Sequence, residues 1–91
     1  MADTKTVLIT GCSSGIGRAT AYAFLEDDWR VYATARDTAD IERLGEAGCD
    51  INTLDVTDPD DIERVVDRIV ERDGRVDCLV NNAGYGQHVL Y

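Results

Sequence analysis

Short apolar runs alternate along this chain with longer stretches whose apolar residues recur at helical spacing. Lys5 to Thr10 is brief, β-rich and apolar on both faces, the pattern of a buried parallel strand. From Ser14 or Gly15 to Asp27, the residues Ile16, Ala19, Thr20, Ala23 and Phe24 fall at i, i+3, i+4, i+7 and i+8. They predict a helix with that stripe against a sheet and Tyr22 off it. Asp27-Asp28 ends it, although acids suit the C-terminal end of a helix dipole poorly. Arg30 to Ala35 is a second strand. Asp37 or Thr38 can cap a short helix running through Gly45, with Ile41 and Leu44 inward and Gly45 and Gly48 as stops. Asp50 to Leu54 is a thin third strand. The next unit is the clearest: Asp58 caps, Pro59 takes the first helical position and Asp61 sits in the first turn. Ile62, Val65, Val66, Ile69 and Val70 then repeat the stripe up to a stop at Gly74. Val76 to Asn81 is a fourth strand, and Asn82-Ala83-Gly84 a turn after it.

The order βαβαβαβ predicts an α/β domain with a four-stranded parallel sheet and helices on both faces. Right-handed crossovers with a reversal at the first strand give the strand order 3-2-1-4. Residues 1–91 fit one domain, and 85–91 form a tail too short for another crossover unit.

The stretch that organises the rest is Thr6 to Gly17, where a strand, a glycine turn and a helix follow in immediate succession. That context turns loose glycines into a dinucleotide-phosphate site. Gly11 permits a tight turn, Gly15 lets backbone approach a pyrophosphate, and Gly17 lets the helix pack closely on the sheet. Unpaired amides at the helix start would face the phosphates, and the Ser13 and Ser14 hydroxyls could donate to phosphate oxygens. A plain glycine turn that binds nothing is the alternative. At the end of the second strand, where an acid would accept the ribose hydroxyls of NAD, stand Ala35 and Arg36. The guanidinium fork of Arg36 fits a 2′-phosphate, which predicts NADP ahead of NAD. Asp37 could compete for Arg36 as a surface ion pair, and Arg18 could support the same phosphate or simply face solvent. Asp55 could accept from an adenine amino group or cap its own loop, with Val56 packing on the base. Asn81 and Asn82 can tie strand ends together or reach the ribose, while Ala83 and Gly84 leave room for a flat ligand.

Composition narrows the partners. The chain has 91 residues, 44% of them hydrophobic, which argues against disorder. A domain this small is expected to be marginally stable without a partner or ligand. No apolar run approaches the ~18 residues of a membrane span, and no signal peptide is visible, so a cytoplasmic location is expected. Eighteen acidic against nine basic residues give a net charge of -9, which disfavours nucleic acid. Lys5 is the sole lysine. An acidic, lysine-poor surface suits a salt-rich, halophilic cytoplasm, where salt screens self-repulsion. Cys12, Cys49 and Cys78 form no C-x-x-C pair and no metal spacing. Cys49 and Cys78 read as core fillers and Cys12 as partly exposed. His88, the only histidine, reads as a tail residue. None of Tyr22, Tyr32, Tyr85 and Tyr91 has a lysine four residues on, so none is assigned as a catalytic acid.

Thr10-Gly11-Cys12-Ser13-Ser14-Gly15-Ile16-Gly17, Asp55-Val56 and Asn81-Asn82-Ala83-Gly84 together resemble three linked motifs of the short-chain dehydrogenase/reductase family. They are its T-G-x-x-x-G-I-G turn, its adenine-binding acidic pair and its N-N-A-G motif, and Ala35-Arg36 is similar to the NADP-preferring form. The resemblance implies a truncated Rossmann fold that binds NADP(H) through Gly11, Ser13, Ser14, Gly15, Ile16, Gly17, Arg36, Asp55, Val56, Asn82, Ala83 and Gly84. It also implies oxidoreductase chemistry on a carbonyl or alcohol. The family's serine and Y-x-x-x-K lie on later strands and helices and match no residue here, so no catalytic residue is assigned. Strand four, normally flanked by a fifth, is expected to be an edge with its Cys78-Leu79-Val80 run exposed. A homodimer joining those edges or swapping the tail would cover it. A non-catalytic structural or regulatory module is the competing expectation.

Overall fold

The computed structural model describes residues 4–82. Ala83, Gly84 and the expected tail with Tyr85, His88 and Tyr91 lie outside the described residues. Four strands form one parallel sheet in the order β3-β2-β1-β4: β1 (Thr6–Ile9), β2 (Arg30–Ala35), β3 (Asp50–Thr53) and β4 (Cys78–Val80). Val7 registers with Val31 on one side and with Cys78 on the other. The order reverses at β1, as expected, so that helices cover both faces of the sheet.

Side chains alternate across the sheet, so each strand feeds two cores. Val7, Ile9, Val31 and Ala33 point to the face covered by α1 (Gly15–Glu26) and by α2 (Glu42–Ala47), which a 3₁₀ turn (Thr38–Ile41) precedes. Leu8, Tyr32 and Leu79 point to the face covered by α3 (Pro59–Asp73), through Val65 and Ile69. Tyr32 is wholly buried, and its hydroxyl reaches the Asp73 carboxylate at the end of α3, where Arg30 Nε also pairs at 3.0 Å. The caps follow the sequence: Asp58 accepts from the Asp60 amide at 3.0 Å ahead of Pro59, and α3 ends at Gly74.

Four expectations about burial are corrected. Along α1 the buried side is Gly17 and Ala21, with Phe24 and Leu25 partly buried, while Ile16 is 62% exposed and Ala19 and Ala23 face solvent. The whole stripe is turned by one residue, because the helix start approaches the preceding turn so closely that only a glycine fits there. Cys12 is completely buried rather than partly exposed, its thiol donating to the Ile9 carbonyl at 3.4 Å. Burial raises the Cys12 thiol to about 11. Cys78, Leu79 and Val80 are buried although β4 is an edge, since helices cover both faces of the strand. Val70, expected inward, is 44% exposed at the far end of α3.

Candidate functional site

Parallel strands bring their C-terminal ends to one edge of the sheet, and the reversal at β1 makes the loops after β1 and β4 diverge there. The chain leaves β1 through Gly11, whose φ of 66° is left-handed. It then rises into α1, with Ser14 as the N-cap. The Ser14 hydroxyl accepts from the Gly17 amide at 3.1 Å and from Asn82 Nδ2 at 3.0 Å, and donates to the Gly11 carbonyl at 2.9 Å. Its proton is therefore spent on the turn itself and is not presented to a phosphate. Gly17 is the point of closest approach: a Cβ there would lie 2.3 Å from the Gly11 carbonyl oxygen. A Cβ at Gly15 would meet nothing within 4 Å. The amides of Gly15 and Ile16 have no acceptor among the described residues. The helix start thus offers unpaired donors beneath open space.

Strand β4 is tied to this turn. The Thr10 hydroxyl donates to Asn81 Oδ1 at 2.9 Å and accepts the Asn82 amide at 2.9 Å. The Asn81 side chain thus joins the ends of β1 and β4, while that of Asn82 reaches the start of α1. Asn82, nearly buried, braces Ser14.

A groove of about 300 Å³ runs across these ends. Gly11, Ser13, Ser14 and Asn82 form one side, Leu54 and Val56 an apolar patch, and Ala35, Arg36, Asp37 and Asp40 the other end. Six of the twelve residues picked from sequence line this groove: Gly11, Ser13, Ser14, Arg36, Val56 and Asn82. Asp55 lies beside the groove rather than lining it. Its Oδ1 accepts from the Thr57 hydroxyl at 2.6 Å and the Thr57 amide at 2.9 Å, which closes the loop. Those bonds hold the Asp55 carboxyl below its usual value, with a further contribution from the Arg36 charge. Asp37 accepts from the Ala39 amide at 3.0 Å, capping the 3₁₀ turn. Arg36 makes no ion pair among the described residues, with Asp37 or any other acid. Arg18 is exposed and lines a different hollow. Leu54 and Asp40 were missed from sequence. Leu54 reads as a strand residue, and Asp40 as one more acid on an acidic surface.

A larger hollow, about 550 Å³, lies at the opposite edge of the sheet among Thr4, Arg30, Arg72 and Arg75. Each of its arginines is already paired with a carboxylate, Arg30 with Asp73, Arg72 with Asp50 and Arg75 with Asp77. That arrangement closes the bottom of the sheet, so the smaller groove at the strand C-termini is the better candidate. No helix among the described residues is long and apolar enough to cross a membrane.

A parallel sheet reversing at β1, with a glycine turn opening a helix at the reversal, defines a dinucleotide-binding domain of the Rossmann type. The chain belongs to the short chain dehydrogenase family, whose model matches residues 5–90. It is 46% identical over 87 residues to sorbitol dehydrogenase of Cereibacter sphaeroides, covering 89% of this chain and 33% of that protein. Among solved structures it resembles the F189W actinorhodin polyketide ketoreductase with NADPH. That likeness has a TM-score of 0.78 and 40% identity over 92% of this chain and 35% of that one. It also resembles a 3-ketoacyl-(acyl-carrier-protein) reductase of Brucella melitensis complexed with NADH. There the TM-score is 0.73 and the identity 31%, over 82% of this chain and 32% of that one. The chain spans between 29% and 37% of the length of the first curated relatives it matches.

Proposed function

We propose that this chain is the NADP(H)-binding portion of a short-chain dehydrogenase/reductase, an oxidoreductase acting on a carbonyl or alcohol, and that alone it binds the cofactor without turning it over. The observation that carries this reading is the pair of amides at Gly15 and Ile16 without an acceptor among the described residues, at the head of a groove whose far end presents Arg36, which makes no ion pair among those residues. The Gly15 and Ile16 amides and the Ser13 hydroxyl would hold the pyrophosphate. Gly11 and Gly17 keep the helix start close enough for that, and Ser14 and Asn82 position the turn. Arg36 would take the 2′-phosphate, Leu54 and Val56 the adenine, and the free Asp55 oxygen its amino group. Ala83 and Gly84 are assigned to leave room beyond. When bound, the cofactor supplies hydride transfer. The residues here supply its binding and orientation. The acidic, lysine-poor surface supports a cytoplasmic, salt-adapted protein.

Calorimetric titration with NADP⁺ and NAD⁺ tests this. NADP⁺ is expected to bind more tightly, Arg36→Gln to weaken NADP⁺ about tenfold while sparing NAD⁺, and Gly15→Trp to abolish both. NADPH turnover is expected to be undetectable. A folded sample giving neither heat nor a thermal shift with either cofactor refutes the reading. That result favours the second one, a non-catalytic module that dimerises through the β4 edge. In support of the second reading, β4 pairs with β1 alone among the described strands. Light scattering that finds a compact monomer at micromolar concentration counts against it.

A further inference from the structure

The end of the groove that holds Arg36 also holds an acid that no motif marks. The 3₁₀ turn Thr38–Ile41 follows β2 immediately, and Asp37 caps it, its Oδ1 committed to the Ala39 amide. The turn is held by the Asp40 amide donating to the Asp37 carbonyl at 3.1 Å. The Asp40 side chain is thereby set on the rim between the groove and the neighbouring hollow, and it lines both. It is exposed and makes no ion pair or side-chain hydrogen bond among the described residues. Arg36 therefore shares that end of the groove with two carboxylates, Asp37, which caps the turn, and Asp40, whose side chain has no partner among the described residues.

We infer that Asp40 is a second specificity determinant, opposing Arg36, so that preference between phosphorylated and unphosphorylated ribose is set by their balance rather than by Arg36 alone. This rests on the groove being the dinucleotide site proposed above. A 2′-phosphate brings close to two negative charges beside the arginine, and the carboxylate repels them. A 2′-hydroxyl meets no such repulsion and can donate to the carboxylate. In water, a unit charge facing a dianion at about 8 Å changes affinity about fivefold before salt screening. The chain is thus poised to accept both cofactors, with its NADP preference held below what Arg36 would give by itself. Because both charges are exposed, the balance depends on ionic strength.

Asp40→Asn tests this on the 91-residue chain. Titrations with 2′,5′-ADP and 5′-AMP at about 0.05 M and about 1 M KCl isolate the ribose phosphate, with the fold checked by circular dichroism. The variant is expected to bind 2′,5′-ADP about threefold more tightly at low salt, where screening already removes part of the roughly fivefold unscreened effect, to leave 5′-AMP unchanged or slightly weaker, and to lose most of the difference at high salt. Asp28→Asn is the control. It removes an exposed acid before β2, at the other end of the strand, and should move neither ligand. Wild-type binding with an unchanged 2′,5′-ADP to 5′-AMP ratio in Asp40→Asn overturns the inference alone, as does an equal gain from Asp28→Asn. Failure of the folded wild type to bind either nucleotide overturns the groove reading and this inference with it.

Discussion

Replacing Gly17 by alanine adds one methyl group where the structure has no room for it. The new Cβ would stand 2.3 Å from the Gly11 carbonyl oxygen, 2.9 Å from the Cys12 Cα and 2.9 Å from Asn82 Nδ2. Carbon and oxygen approach without strain at about 3.3 Å, so the helix start and the turn must separate by about 1 Å. Two of the three obstacles are backbone, which cannot swing aside as a side chain would. Forced overpacking of this kind costs about 1–3 kcal/mol. The shift also disturbs the Ser14 cap and its Asn82 brace, worth about 1 kcal/mol. Against this, alanine is better than glycine inside a helix by about 1 kcal/mol. The net expectation is a loss of about 2 kcal/mol, which in a domain this size lowers Tm by about 10 °C. Gly15→Ala is the matched comparison: its Cβ meets nothing within 4 Å and its φ is not left-handed. It should be neutral or stabilising by up to about 1 kcal/mol through the unfolded chain. Urea denaturation followed by Trp29 fluorescence and circular dichroism reads both. The reasoning fails if Gly17→Ala lies within 0.5 kcal/mol of wild type (roughly the scatter of neutral surface changes), or if the two variants shift alike.

Asp77 accepts the Thr6 amide at 2.8 Å and Asp61 the Asp55 amide at 2.7 Å, and these bonds hold both carboxyls below their ordinary value. The stability they add is present above about pH 4, the unfolded value, and is lost as pH falls through the lower folded values. Asp77→Asn should therefore flatten the acid limb of a Tm-against-pH curve. The three cysteines are all free and buried, so a thiol reagent at pH 8 should find no reactive group until denaturant is added. Early reaction of Cys12 would show that the turn opens in the native state. Asp58→Ala removes the cap of α3 and should lower stability by about 1 kcal/mol in urea titrations. Raising KCl from about 0.1 M to about 2 M should raise Tm by screening the net charge of -9, and a flat response would remove the electrostatic argument for salt adaptation.

The sequence by itself determined the order of elements and the strand ends between which the candidate groove lies. Asp58-Pro59 and Gly74 bracket α3 because capping and backbone freedom are local properties. Arg30 to Ala35 reads as a strand for similarly local reasons, and the observed β2 has the same bounds. The order 3-2-1-4 follows from right-handed crossovers together with a reversal at strand one, and needs no side-chain detail. Tertiary structure alone decided which side of α1 is buried, where the Ser14 proton goes, that Cys12 is sealed in the core, and that Asp40 shares a groove with Arg36. Some of these depend on contacts between distant segments, whereas the Ser14 proton goes to Gly11, three residues back, through turn geometry that periodicity does not read. Ser14 meets Asn82 across 68 positions of chain, and Thr10 meets Asn81 across 71. Hydrophobic periodicity gave Ile16 to the core, since it weighs apolarity and is blind to distance. The close approach at Gly17, where a Cβ would stand 2.3 Å from the Gly11 carbonyl oxygen, goes with the helix turned the other way, because a backbone cannot yield where a side chain can be left in water.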